Sequence, residues 1–326
     1  MDMSESKSKI RGETDLRGET DLQREADLQF KADLQRETDL QRLMQNRPNY
    51  LLVIWSNFSR NKFAVAGLAV VLFLLVLALV TPMIVSRDMT TEIDIRSRLM
   101  PPGPGHIFGK DHLGRDVFAR LLYGSRVSLT MGFIPMGSSL LLGILFGSVA
   151  VYRGGMLETV ILRACDILSC IPGVLLALTL VAVLGPGLRN VMIAITIAAV
   201  PDMTRYVRSV ILNIVGLEYI EAARACGIGS AAIVARHVIP NAAGPLILSA
   251  VSNIASMIMI GAGLSYLGLG VQLPTPEWGA MLADGQNYFM HAPHLMIVPG
   301  ITMLIAVLSF NLMGDGLRDA LDPKLR

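Results

Sequence analysis

From Phe63 to Ile84 the chain is apolar without interruption, about the 20 residues that cross roughly 30 Å of hydrocarbon as a helix. Trp55, Arg60 and Lys62 precede it, residue types that favour a membrane surface. Further apolar stretches at 127–151, 164–185, 190–210, 243–269 and 294–313 predict five more spans. The expected fold class is therefore an all-α polytopic membrane protein with six transmembrane helices. The polar segment 85–126, broken by Pro101-Pro-Gly-Pro-Gly105, separates the first two spans, and 216–241 is the longest polar interruption further on. An even number of spans puts both termini on one side. That side, holding 41–62, 152–164, 203–240 and the C-terminus, carries 13 Lys and Arg against 8 on the other. It is expected to be cytoplasmic, with 85–126 outside.

Ahead of the spans, Asp-Leu recurs at 15–16, 21–22, 27–28, 33–34 and 39–40. A six-residue step on a helix turns about 240° and scatters the leucines over three faces, and one Leu per unit is too few for a β-helix. Residues 1–45 are expected to be a solvated cytoplasmic tail, with 46–326 as the transmembrane domain. With 52% hydrophobic residues and mean hydropathy +0.53, the chain is far too apolar for an ordinary soluble domain. Its net charge of +2 averages an acidic head, with 7 Lys and Arg against 11 Asp and Glu in the first 40 residues, over a basic remainder. No basic face interleaved with aromatics supports nucleic-acid binding, and no apolar run in the charged first 40 residues suggests a cleavable signal peptide.

The interruption at 216–241 has its own pattern. Glu218, Glu221 and Arg224 recur at helical spacing, Ala222 and Ala223 leave little side-chain bulk, and Gly227 and Gly229 suit the end of a short helix. A second helix is expected, capped by Ser230 and stopped by Pro240, with Arg236 and His237 in its last turn. The result is a helix-turn-helix knob, although spacing alone fits a plain connecting loop equally well. Within the fifth span, Ser252, Asn253 and Ser256 are polar groups at membrane depth, suited either to lining a translocation path or to bonding between helices.

Other segments offer chemistry that does not close into a site. His106 to Leu129 is dense in Gly, Asp and Arg, with Arg115, Asp116 and Arg120 expected to form an ionic network. His106, His112, His291 and His294 lack a third convergent ligand, and Cys165, Cys170 and Cys226 lack zinc-site partners, so neither a metal site nor a catalytic residue is assigned. Asp166 and Asp202 lie near span ends without an evident partner, and Trp278 suits the interfacial belt.

Three stretches carry a family resemblance. Glu221-Ala-Ala, followed by Gly227 and Pro240, resembles the EAA loop of ABC-importer permeases. The segment from His106 to Leu129, with Lys110 and Ala119 where Thr and Ser are common, is similar to that of the C-type permease of dipeptide, oligopeptide, glutathione and nickel importers. Asn311 to Pro323 looks like the C-terminal signature of the same subfamily. The resemblance implies the type I ABC-importer permease fold in a bacterial cytoplasmic membrane. It implies that Glu218, Glu221, Ala222, Ala223, Arg224, Gly227, Arg236, His237 and Pro240 form the coupling element that docks on an ATPase. The implied partners are a second homologous permease, two ATP-binding subunits that hold ATP and Mg, and a periplasmic or lipid-anchored substrate-binding protein. Di- or oligopeptides are the implied cargo, with glutathione or nickel complexes as the alternative.

The residues agree with a subunit that has no motor of its own, because no Gly-x4-Gly-Lys-Ser/Thr occurs. A secondary transporter would be expected to carry an acidic relay at the midplane and an internal repeat. Neither appears in the cores of spans one, two, five and six. A membrane enzyme would need a paired nucleophile and base, which the scattered histidines do not supply.

Overall fold

The computed structural model describes residues 50–321. The hexad repeat and the Asp322-Pro323 terminator lie outside the described residues. The chain divides into two units, 1–56 and 57–326, and the second holds everything considered below. The helices are α1 (Tyr50–Arg60), α2 (Lys62–Ile84), α3 (Arg87–Thr91), α4 (Val117–Arg153), α5 (Gly155–Ser169), α6 (Gly173–Leu184), α7 (Leu188–Val215), α8 (Glu218–Ala225), α9 (Ser230–Ile233), α10 (Ile239–Tyr266), α11 (Trp278–Gln286) and α12 (His294–Leu321). Two isolated bridges, Gly103 with His106 and Lys110 with Asp116, are the extent of strand pairing among the described residues.

Of these, α2, α4, the helix running from Ser230 to Tyr266, and α12 are long and apolar enough to cross a membrane. The bent pair α5 and α6 makes a fifth span if taken as one. Helix α7 has the length but carries Arg189, Asp202, Arg205 and Arg208. The stretch 164–185 is not the single straight span its apolar run predicts: α5 and α6 meet at 85° around Cys170 to Pro172. The cause is in the sequence, because Pro172 has no N–H to continue the ladder and disfavours helical backbone at Ile171.

Helix α2 begins where the Asn61 side chain accepts from the N–H groups of Phe63 at 3.1 Å and Ala64 at 3.2 Å. It buries Ala64, Gly67, Val71, Leu74 and Ala78, one per turn, and leaves Leu72, Phe73, Val76 and Leu79 exposed. A helix apolar on every side suits lipid on the faces that protein does not cover. Glycines set the distance to its neighbours. A Cβ on Gly67 would stand 2.7 Å from the Ser309 carbonyl oxygen of α12, and one on Gly316 would stand 2.0 Å from Ala64 Cβ. In α4, Gly143 and Gly147 do the same against Met203 and Val207 of α7. Close approach of small residues stabilises helix pairs where no hydrophobic force acts between them.

Helix α4 starts well before residue 127, the expected beginning of span two. Asp116 caps it, accepting from the Ala119 N–H at 2.8 Å, while its other oxygen meets His106 Nδ1 at 2.9 Å. Asp116 therefore stands outside the expected ionic network. Arg115 and Arg120, both buried, converge instead on Asp111, at 2.6 and 3.5 Å, and more loosely on Asp284 of α11, at 3.7 and 3.9 Å. The helix extends because a buried Arg120 with charged partners costs less than one facing lipid.

Helix α11 plugs the same end of the bundle. Buried Glu277 accepts from the N–H groups of Gly279 and Ala280, each at 2.8 Å, and from the Ser128 hydroxyl at 2.9 Å. Trp278 is fully buried, its indole N–H donating to the Leu121 carbonyl at 3.1 Å. It belongs to the core of this contact and not to an interfacial belt. Gly124 makes room for it, since a Cβ there would meet the indole at 3.1 Å.

Candidate coupling loop and membrane cavity

Helix α8 opens at Leu217, whose carbonyl accepts from the Ile220 and Glu221 N–H groups at 2.9 and 3.3 Å. It closes on Gly227 at φ +79, with the Gly227 N–H on the Arg224 carbonyl at 2.9 Å and the Ile228 N–H on the Ala223 carbonyl at 3.2 Å. Glycine reaches that left-handed geometry at no steric cost. Helix α9 differs from expectation. Gly229, not Ser230, stands at the cap, and the Gly229 carbonyl takes the first bonds, from Ala232 and Ile233.

Pro240 does not stop this helix. A π-helical turn, Val234–Val238, joins α9 to α10, and the Ile239 N–H reaches the Val234 carbonyl five residues back. The wider register is what accommodates proline, which has no N–H and would clash with the carbonyl four residues before it in an α-helix. The helical run from Ser230 is thus continuous with the fifth apolar stretch, and α8 precedes it across the turn at 226–229.

Three buried side chains, Ile220, Ile233 and Val238, seat the loop on the bundle. Glu218, Glu221, Ala222, Arg224, Gly227, Arg236 and Pro240 are exposed, and Ala223 and His237 are half-buried. The Arg224 guanidinium lies over the Tyr152 ring at 5.9 Å from its centroid. That cation–π contact ties α8 to the last turn of α4. Tyr219 and Ile228, 44% and 39% exposed, add apolar area to the face presented by the alanines. The structure therefore leaves most of the candidate residues of this loop exposed, small alanines and charged side chains together.

A cavity of about 380 Å³ lies between α4, α6, α7 and α10. Asn253 and Ser256 line it, together with Ser139, Asp202, Tyr206 and Ser249. Ser252 is not among its lining residues; it packs against α12, where a Cβ on Gly314 would approach its Oγ to 3.0 Å. Asp202 does have a partner. Arg205 donates to it at 2.8 Å, to Asp166 at 3.3 Å and to Ser169 Oγ at 2.6 Å, bracing α5 against α7 across the bend. Glu158 and Arg208 make a second brace, with Arg208 Nε at 2.8 Å. The i,i+3 spacing of Asp202 and Arg205 was the available signal for the first pair. Nothing in the sequence marks Ser139 or Tyr206 as neighbours of Asn253, because they come from three different helices.

Among the described residues no cluster of three potential metal ligands forms. His106 is taken by Asp116, and His112 stacks on Tyr288 at 5.4 Å.

Residues 139–326 match the family described as "Binding-protein-dependent transport system inner membrane component", more than half of the chain. The chain belongs to that family, the permeases of ABC importers. Residues 49–102 match the "N-terminal TM domain of oligopeptide transport permease C". The dipeptide transport system permease protein DppC of Alkalihalophilus pseudofirmus is 39% identical over 272 residues, 83% of this chain and 89% of its own length. The di/tripeptide permease DppC of Pseudomonas aeruginosa is 40% identical, covering 86% and 94% of the two chains. The glutathione permease GsiD of Pectobacterium atrosepticum is 39% identical over 83% and 90%. A solved structure of the MetNI methionine ABC transporter in inward-facing conformations shares the fold, with TM-score 0.52 at 22% identity, over 62% of this chain and 97% of that one. This permease is a multi-pass inner-membrane transport component, of a family of transporters and not of enzymes.

Proposed function

We propose that this permease forms half of the translocation pore of an ATP-driven importer for di- or oligopeptides. A second homologous permease completes the pore, two ATPase subunits bind ATP and Mg and hydrolyse it, and a periplasmic or lipid-anchored binding protein delivers the cargo. The observation that carries the reading is the exposed Glu218–Pro240 surface, held rigid by Ile220, Ile233, Val238 and the Arg224–Tyr152 contact. Small side chains allow a partner's backbone to come close, and the continuous helix behind them transmits displacement into a bundle that packs in discrete arrangements. In this reading Glu218, Glu221, Ala222, Ala223, Arg224, Gly227, Arg236, His237 and Pro240 meet the ATPase. Helix α7 is the fourth of six spans and completes the set, both termini are cytoplasmic, and the cavity with Asn253 and Ser256 belongs to the transport path, with Ser252 beside it at the α12 contact. The positive charge count on the loop's side supports that orientation.

Peptide cargo is favoured by the dipeptide and di/tripeptide relatives. Glutathione, favoured by a relative of equal similarity, is itself a peptide, and nickel complexes are the outlying alternative. The test is uptake of labelled Ala-Ala into proteoliposomes containing this chain, its co-expressed permease and ATPases, and the binding protein. Uptake should require ATP and fall at least about tenfold in Glu221→Arg, with basal ATP hydrolysis retained. Uptake without the ATPases, or normal uptake by Glu221→Arg, refutes the coupling role.

A further inference from the structure

Several polar side chains on the lining of the cavity between α4, α6, α7 and α10 donate to the protein's own backbone. Tyr206 donates its hydroxyl hydrogen to the Pro245 carbonyl at 3.1 Å, Ser139 donates to the Met136 carbonyl at 3.0 Å, and the Asn253 amide nitrogen donates to the Ser249 carbonyl at 2.8 Å. Each of these donors is committed to the protein's own backbone. What remains toward the cavity is the Tyr206 oxygen and, on Asn253, the carbonyl oxygen with one amide N–H, while Ser139 is fully buried.

The charge on this lining is one-sided. Asp202 is the one carboxylate on the lining, and no Lys, Arg or His lines the cavity among the described residues. Arg205 approaches Asp202 through Oδ1 but is shared with Asp166, so one guanidinium serves two carboxylates. Arg163 reaches Asp166 only at 3.9 Å, from an exposed position. The Asp202 side chain is 84% exposed within this chain. A carboxylate in a long, largely apolar helix is stable facing a wet path, not lipid.

We infer that this cavity binds a primary ammonium group, with Asp202 as its counter-charge and the oxygens of Asp202, Tyr206 and Asn253 accepting its three N–H bonds. An ammonium has three donors and no acceptor, which matches one carboxylate and two neutral oxygens. Met136, Met203 and Met257 beside it form an adaptable apolar surface for a side chain of varied shape. The inference rests on the reading of the chain as a pore-forming permease. Two sources carry the group: the α-amine of a peptide cargo and the headgroup of phosphatidylethanolamine.

The test uses the intact permease complex without its binding protein, in phosphatidylcholine nanodiscs, with Ala-Ala and N-acetyl-Ala-Ala as probes in saturation-transfer NMR. Ala-Ala should receive saturation and the acetylated peptide should not. Asp202→Asn, which keeps the shape and the Oδ1 acceptor for Arg205, should weaken Ala-Ala binding at least about tenfold, the scale of one lost charge-assisted bond. Moving the charge across the cavity in Asp202→Asn/Asn253→Asp should restore it. If Asp202→Asn fails to assemble, Asn253→Asp alone decides, with tighter Ala-Ala binding expected. A signal that survives in phosphatidylethanolamine discs assigns the site to cargo, and one that disappears there assigns it to the headgroup. Equal signals from the two peptides, an unchanged Asp202→Asn, or no gain with Asn253→Asp overturn the inference. ATP-driven Ala-Ala uptake by the wild-type complex is measured in parallel, so failure of the ammonium site and failure of the permease reading are separate results.

Discussion

The contact between Gly316 and Ala64 gives the sharpest stability prediction. In Gly316→Ala the new methyl would meet Ala64 Cβ at 2.0 Å, with the Phe58 ring at 3.3 Å. Carbon atoms rest at about 3.5–4.0 Å, so α2 and α12 must separate locally by roughly 1.5–2 Å. Such overpacking costs about 3 kcal/mol. Alanine recovers about 1 kcal/mol of helix propensity over glycine, leaving a net loss of about 2 kcal/mol, roughly 30-fold in the folding equilibrium. Ala64→Gly alone should lose about 1 kcal/mol through propensity. The double variant only moves the methyl from one helix to the other and should return close to wild type, an interaction of about 3 kcal/mol. Unfolding by sodium dodecyl sulfate in mixed micelles, followed by fluorescence of the buried Trp278, measures all four corners. Additive single changes, or a Gly316→Ala loss below about 0.5 kcal/mol, would refute the account of how these helices are spaced.

Three further outcomes follow from the opposite end of the bundle. Trp278→Phe keeps most of the volume but leaves the Leu121 carbonyl without its donor, a loss of about 1–2 kcal/mol, whereas Trp278→Ala should cost about 3–5 kcal/mol, both read from the same detergent titration followed by circular dichroism. Arg120→Met removes one cation from the buried group around Asp111 and Asp284 and should destabilise by about 3 kcal/mol, with Arg120→Met/Asp284→Leu recovering part of it. Burial pushes the Glu277 carboxyl above its ordinary 4.5, against the bonds from Gly279, Ala280 and Ser128. A raised folded value means that the stability contribution is full below pH about 4.5 and is lost as pH rises through the folded value. Thermal melts across that range should show the slope in the wild type and lack it in Glu277→Gln.

The apolar runs announced the long helices because a membrane helix must satisfy every backbone group internally and face lipid with carbon. The limits failed where tertiary partners override that rule. Arg120 reads as a loop residue until Asp111 and, far from it in sequence, Asp284 are placed beside it. Pro172 was a visible break inside an apolar run. Pro240 was equally visible and did not act as a stop, since a π turn absorbs it without ending the helix. At the candidate sites, the two helices of the 216–241 loop were readable because its residues are consecutive. The cavity was not, because Ser139, Asp202 and Asn253 meet only through helix packing set by Gly143, Gly147 and their partners.

Helix α4 is held at both ends by side chains that cannot easily change partners: Arg120 in the charge cluster and Tyr152 beneath Arg224. At 37 residues it is a rod of about 55 Å. One residue inserted between those anchors would rotate the far end by about 100° and advance it by about 1.5 Å, so both contacts could not survive. The length of this helix is therefore quantised. Substitutions along it can be absorbed one at a time, but insertions and deletions cannot.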